Sequence, residues 1–350
     1  MQAMSQKRIY LDHAATTPLL PQAREAWLHG ADIWANPSSP HAPGRAARAA
    51  LEEARARVKA ALAWEGEVVF TSGASEALAI ALGQAKAPLS AVSPVEHDAV
   101  LRLAANAPSL AVDACGRADP ADTGLAGLVA VQQVNSETGV VQDLDVIARS
   151  VRSAGGVLLA DCAQGVGKRA LPEADLIALS AHKFGGPIGT GALLVRDWGL
   201  LHPTGGQERG YRPGTENLPG VLAMAAALEA GSEWMIEARR LRERLDRAIV
   251  QAGGDVVAAE AHRAPTIGAY RMPGKSANAQ LIRFDAMGIA VSAGSACSSG
   301  SLKTSHVLQA MAYPHPAEVI RVSIGRETTE AEIDEFIAAW KQIAGIGARA

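Results

Sequence analysis

From about residue 45 to residue 235, short apolar runs alternate with longer helical patterns. The runs at 68–71, 89–92, 128–134, 157–160, 176–180 and 192–196 are rich in Val, Leu, Ile and Ala and read as strands. Between them, 44–62, 75–85, 99–105 and 143–154 read as helices. This alternation predicts an α/β fold: a large domain with a mostly parallel sheet, covered by helices on both faces. In such sheets ligands gather beyond the carboxyl ends of the strands, so the residues just after each run are the ones to inspect.

After the Gly- and Pro-rich segment 203–219 the pattern changes. One long helical stretch, 218–252, is followed by strand runs at 255–258, 266–272, 289–292 and 320–324, interleaved with helices at 277–287 and 330–344. This predicts a smaller α+β domain. The expected division is 15–232 for the large domain, with 1–14 and 233–350 forming the small one.

Composition narrows the function classes. Of 350 residues, 48% are hydrophobic and 20% charged, which is globular and not disordered. A net charge of −3 implies no basic face, so nucleic acid is not expected as a partner. The first eight residues are polar, with no apolar core of a secretory signal, and no apolar run is long enough to span a bilayer. The expectation is a cytoplasmic protein without a membrane partner. Cys115, Cys162 and Cys297 are odd in number and contain no C-x-x-C pair, which argues against a disulfide framework and a cysteine-rich zinc site. No H-E-x-x-H occurs, and no metal is expected. Gly165-Val166-Gly167-Lys168 fails as a phosphate loop because Cys162 stands where the first glycine is needed.

Asp161 ends one apolar run, Gln164 follows it, and Lys183 follows the next run through Ser180-Ala181-His182. A carboxylate and an amine at the tips of neighbouring strands would face one crevice. A pyridoxal phosphate enzyme needs that pair: the carboxylate keeps the pyridine nitrogen protonated and the lysine forms the Schiff base. On these residues alone, an ordinary aspartate and lysine at strand ends is the competing reading.

The chain resembles the cysteine desulfurases, in the class V aminotransferase branch of fold-type-I pyridoxal phosphate enzymes, from Ile9 to about Phe336. The resemblance rests on Tyr10-Leu11-Asp12-His13-Ala14-Ala15-Thr16-Thr17-Pro18, Asn36-Pro37-Ser38-Ser39-Pro40-His41 and Thr71-Ser72-Gly73-Ala74-Ser75-Glu76. It continues through Glu96-His97, Val134-Asn135-Ser136-Glu137-Thr138-Gly139, Asp161-Cys162-Ala163-Gln164 and Ser180-Ala181-His182-Lys183. The segment from Gln207 to Asn217, Ser295-Ala296-Cys297-Ser298-Ser299-Gly300 and Arg321-Val322-Ser323 complete it.

The resemblance implies roles for these residues. Lys183 is the Schiff-base lysine, Asp161 the partner of the pyridine nitrogen, and Gln164 the donor to the phenolic oxygen. His97 stacks on the ring and moves a proton, and Asn135 contacts the ring substituent and substrate. Gly73, Ala74, Ser75, Ser180 and His182 hold the phosphate, and Thr215 reaches the phosphate of a neighbouring subunit in a homodimer. Gly73 and Ser75 precede a helical pattern, and free N–H groups at a helix N-terminus suit a phosphate. Arg321 clamps the substrate carboxylate, a task for a guanidinium fork. For Asn36 and Arg212 a turn-stabilising role competes with direct contact.

Cys297 lies among Ser, Gly and Ala from 292 to 301, unlike Cys162, which follows the apolar run 157–160 and reads as a buried structural thiol. The resemblance makes Cys297 the nucleophile. The implied activity is conversion of L-cysteine to L-alanine with a persulfide on Cys297, handed to a sulfur-acceptor or scaffold protein for iron–sulfur cluster or thiocofactor assembly. The alternatives are a selenocysteine lyase or another class V aminotransferase-like enzyme, and, in a different class, an inactive scaffold in sulfur trafficking. Three departures from the family pattern stand out: aliphatic residues at 77–79, Gln133 where histidine is frequent, and a short stretch from His97 to Asn135.

Overall fold

The computed structural model describes residues 8–294 and 304–346. The strands in chain order are β1 (Ile9–Tyr10), β2 (Glu67–Thr71), β3 (Leu89–Val92), β4 (Leu128–Ala130), β5 (Val157–Asp161), β6 (Leu176–Ser180), β7 (Gly191–Val195), β8 (Asp255–Val256), β9 (Ile267–Arg271), β10 (Ile289–Ala290) and β11 (Val319–Ser323). The helices are α1 (Pro21–Asp32), α2 (Ala42–Ala61), α3 (Ala74–Gln84), α4 (Asp98–Leu101), α5 (Leu144–Ser153), α6 (Leu218–Leu228), α7 (Met235–Gln251), α8 (Ala277–Ala286), α9 (His306–Ala310) and α10 (Glu330–Ala344).

Six strands form the main sheet in the order β2-β7-β6-β5-β4-β3. β3 to β6 run parallel, and β7 runs antiparallel to both its neighbours. Alternate residues of each strand enter different cores. Leu158, Ala160, Ile177 and Leu179 pack with α2, α5 and α6 on one face. Leu159, Leu176 and Ala178 pack with α3 and α4 on the other. Both faces are covered, which is why these strands read as unbroken apolar runs.

β11, β9 and β8 form a three-stranded antiparallel sheet, and β1 pairs in parallel with β10. Around them α7, α8 and α10 build a separate core containing Phe284, Phe336, Trp340 and Tyr270. Among the described residues no helix is long and apolar enough to cross a membrane.

The expected single helix over 218–252 is two helices. α6 is buried at every position, whereas α7 buries one stripe: Ala238, Leu241, Leu245 and Ile249. The chain leaves one core and enters another between them, turning at Gly231 with φ +71°. Both halves favour helix, so propensity alone could not place the break. The run 128–134 keeps strand geometry only to Ala130, and the helix expected at 99–105 closes after Leu101. β1, α1 and α9 had no clear periodic signal; β1 is two residues long and α9 five.

Candidate active site

Asp161 ends β5, and Lys183 lies in the turn just past β6, the adjacent parallel strand. Both side chains therefore emerge at the same edge of the sheet. Asp161 is buried, and burial pushes its carboxyl above the usual carboxylate range, against the pull of the Ala163 N–H, His97 and Lys183. That N–H donates to Asp161 Oδ1 at 2.9 Å. Lys183 Nζ donates to the carbonyls of Ala14 (2.7 Å) and Ala15 (2.9 Å), in the segment that follows β1. Gln164 Nε2 donates to the same Ala14 carbonyl at 2.8 Å.

His97 caps α4. Its Nδ1 accepts from the Ala99 N–H at 3.1 Å, which leaves Nε2 as the protonated nitrogen of the neutral ring. His97 lies close enough to both Asp161 and Glu137 to act on their carboxyls. Behind it Glu96 is fully buried, and burial beside Asp161 pushes its carboxyl well up.

The turn after β2 forms a second wall. Gly73 is the N-cap of α3 with φ +148°, and no side chain caps the helix. Its first-turn N–H groups are therefore open to an anion. A Cβ on Gly73 would stand 3.5 Å from Ser180 Oγ, which brings the end of β6 to the same turn. Gly191, the first residue of β7, passes beneath: a Cβ there would lie 2.6 Å from Gly73 Cα and 2.4 Å from the Leu179 carbonyl. Ala74 and Ser75 open α3, and Glu76 ties the turn down by accepting from the Ser72 N–H (2.5 Å) and Arg212 Nε (3.1 Å). His182 contacts Thr16 Oγ1 at 3.2 Å; burial, with Lys183 and Lys168 nearby, lowers it to about 4, so the ring is neutral at pH 7.

Several expected site residues have structural partners. Asn135 Oδ1 accepts from the N–H groups of Glu137 and Thr138 (both 2.9 Å) and from Thr138 Oγ1, while Nδ2 donates to the Val95 carbonyl. Arg321 is buried; its NH2 pairs with Asp12 at 2.8 Å and its NH1 donates to the Ser136 carbonyl at 3.0 Å. Asn36 is exposed and its Oδ1 closes a turn onto the Ser38 N–H at 2.8 Å, the turn-stabilising alternative. Arg212, bonded to Glu76 and the Gly214 carbonyl, acts the same way. Thr215 is exposed on the loop between β7 and α6. Cys162 is fully buried, with its thiol pushed well up by burial and the nearby Asp161 and Glu96.

Cys297 lies outside the described residues. Gly294, just before that segment, and Ser305, the second residue after it, both meet Glu137: a Cβ on Gly294 would stand 2.0 Å from Glu137 Oε2, and Ser305 Oγ donates to that oxygen. Asp12 and Glu137 both lie inside motifs quoted above, yet sequence reasoning assigned them no partner. A charged residue inside an otherwise apolar or small motif was the available signal.

A family model described as Aminotransferase class-V matches residues 9–336. A curated cysteine desulfurase from Bradyrhizobium diazoefficiens is 36% identical, across 97% of this chain and 96% of that protein. A second, from Cereibacter sphaeroides, is also 36% identical, across 95% and 94% respectively. A solved structure described as a NifS-like protein from Rickettsia africae superposes with a TM-score of 0.89 at 28% identity, covering 97% of this chain and all of that one. With relatives aligned end to end and the same fold, the chain belongs to the class-V aminotransferase family, within its cysteine desulfurase branch.

Proposed function

We propose that this chain binds pyridoxal 5′-phosphate between Asp161 and Lys183 and uses it to take sulfur from L-cysteine, releasing L-alanine and leaving a persulfide on Cys297. The observation that carries the reading is the pairing of a buried carboxylate and an amine at the ends of adjacent parallel strands, with His97 beside them. When bound, the cofactor supplies an aldehyde for an amine and a ring that draws electrons from the substrate α-carbon.

The residues fit that group. A carboxylate destabilised by burial is relieved by a cationic partner, which suits Asp161 to a protonated ring nitrogen. The uncapped start of α3 at Gly73, Ala74 and Ser75, with Ser180 and neutral His182, suits a phosphate. Gln164 would face the phenolic oxygen, and Asn135 the substrate. Arg321 keeps donors beyond those given to Asp12 and Ser136 for the substrate carboxylate. Lys183 would hold the aldehyde carbon and would be the base for the substrate α-proton.

Cys297 as thiolate then attacks the substrate sulfur. An S–S bond forms, the C–S bond breaks, and its electron pair stays on the β-carbon, which takes up a proton. His97 would move that proton. The persulfide passes to a sulfur-acceptor or scaffold protein of iron–sulfur cluster or thiocofactor assembly in the cytoplasm. The same reading divides the chain into 15–232 for the cofactor and 1–14 with 233–350 for Arg321 and Cys297; the two separate cores support it. It also makes the chain a homodimer, in which Thr215 serves the neighbouring site.

Replacing Cys297 by Ala tests the sulfur step. The loaded variant is expected to keep its visible absorption band while sulfide release with cysteine falls to background. Full desulfuration by that variant would overturn the assignment.

A further inference from the structure

Lys168 closes the turn that follows β5, and its side chain is buried. Among the described residues its amine has one hydrogen bond, to Gln164 Oε1 at 3.5 Å, and no carboxylate within ion-pair distance. A buried ammonium without a carboxylate is costly, and an apolar residue of the same length would be the more stable choice. The feature therefore calls for a reason other than stability.

The surroundings supply one. Gln164 takes the Lys168 amine on its oxygen and turns its nitrogen to the Ala14 carbonyl, which also accepts from Lys183 Nζ. Lys168 and Lys183 line one small cavity with His13, Thr17, Thr266 and Arg326. Gly167 permits the approach: its φ is +74°, and a Cβ there would stand 2.8 Å from Phe184 Cβ, in the residue after Lys183. The charged and titratable groups facing this pair are His13 from the segment after β1, His182 from the Lys183 turn, and Arg326 from beyond β11. Asp161 acts on Lys183 from β5, and Glu332 acts on His13 from α10. Burial, with Lys183 beside it, brings Lys168 down to about 7.

We propose that Lys168 is a positioning residue of the reactive lysine: it orients the Gln164 amide and, as a second amine behind Lys183, favours the uncharged, nucleophilic form of Lys183. This rests on Lys183 being the amine that takes the cofactor. Like charges held close in a desolvated site each disfavour the other's protonation, so wherever Lys168 is charged, at and below about pH 7, more of Lys183 is uncharged.

The test uses the protein without cofactor. Trace acetic anhydride is applied from pH 6 to pH 10, and acetylation of Lys183 is read by peptide mass spectrometry. K168M is expected to lose reactive Lys183 amine about tenfold at pH 6, where Lys168 is charged, and to approach the wild-type profile as Lys168 discharges above pH 7, leaving the pH midpoint of Lys183 reactivity at or above that of the wild type. K168R keeps the charge and is expected to hold the midpoint at or below that of the wild type. K168Q, which is neutral but can still bond Gln164, is expected to follow K168M and serves if K168M does not fold. Coincident profiles for wild type, K168Q and K168R would overturn the proposal. Borohydride reduction after incubation with pyridoxal phosphate separates the two readings. A pyridoxyl label on Lys168 would overturn the Lys183 assignment itself; a label on Lys183 with unshifted profiles would overturn only the role of Lys168.

Discussion

His13 stands against Tyr10 and Gly325 with its ring almost wholly covered, and burial together with Lys168 lowers it to about 4. A base depressed in the folded state is neutral there, so its contribution is complete above the unfolded value near 6.5. It is lost as pH falls from 6.5 through about 4. A shift of that size corresponds to about 3 kcal/mol. Thermal unfolding of the unloaded protein should therefore show a midpoint that drops between pH 6.5 and pH 4, and His13→Asn should flatten that slope. A variant slope equal to the wild type would count against a buried neutral His13. If Asp161 faces the ring nitrogen as proposed, Asp161→Asn should keep the fold but lower alanine formation by at least about 100-fold. Asp161 and Lys183 were legible because each ends an apolar run. The Asp12–Arg321 pair was not, since its partners lie at opposite ends of the chain and neither sits on a periodic pattern that links them.

At the scale of elements, the loop before α6 is held by one buried ion pair. Arg55 on α2 grips both oxygens of Glu208 at 2.8 and 3.0 Å, and Glu208 also accepts from the Phe70 N–H at 2.8 Å. Glu208 and Arg209 carry φ of +46° and +58°, conformations that persist only when contacts enforce them. Glu208→Ala leaves the buried Arg55 with Glu52 as its one remaining carboxylate, and urea unfolding should show a loss of about 3 kcal/mol. Strands β2, β3, β5, β6 and β7 and helices α3, α5, α8 and α10 were legible to within a residue or two, because the apolar runs and caps are local signals. The α6–α7 break and the four-residue α4 were not, because tertiary packing and not local preference ends them.

At the scale of the whole molecule, Leu19, Trp27 and Ile188 are exposed around one apolar groove, with Pro18 and Pro187 between them. A groove of this composition suits the homodimer proposed above. Ile188→Glu should convert a dimer to a monomer in light scattering, and cofactor affinity should fall with it as Thr215 loses its neighbour. A variant that stays dimeric would place the interface elsewhere.

The passage of Gly191 beneath Gly73 bears on the order in which the protein assembles. β7 must lie between β2 and β6 before the Gly73 and Ser180 turns can meet, and β2 is far from β6 and β7 in the chain. Such non-local pairings form slowly. The turns proposed to hold a cofactor phosphate thus meet only when the first and last parts of the sheet have closed on each other. Cofactor capture then becomes a late event of folding, and by mass action it retains only chains in which that closure is complete.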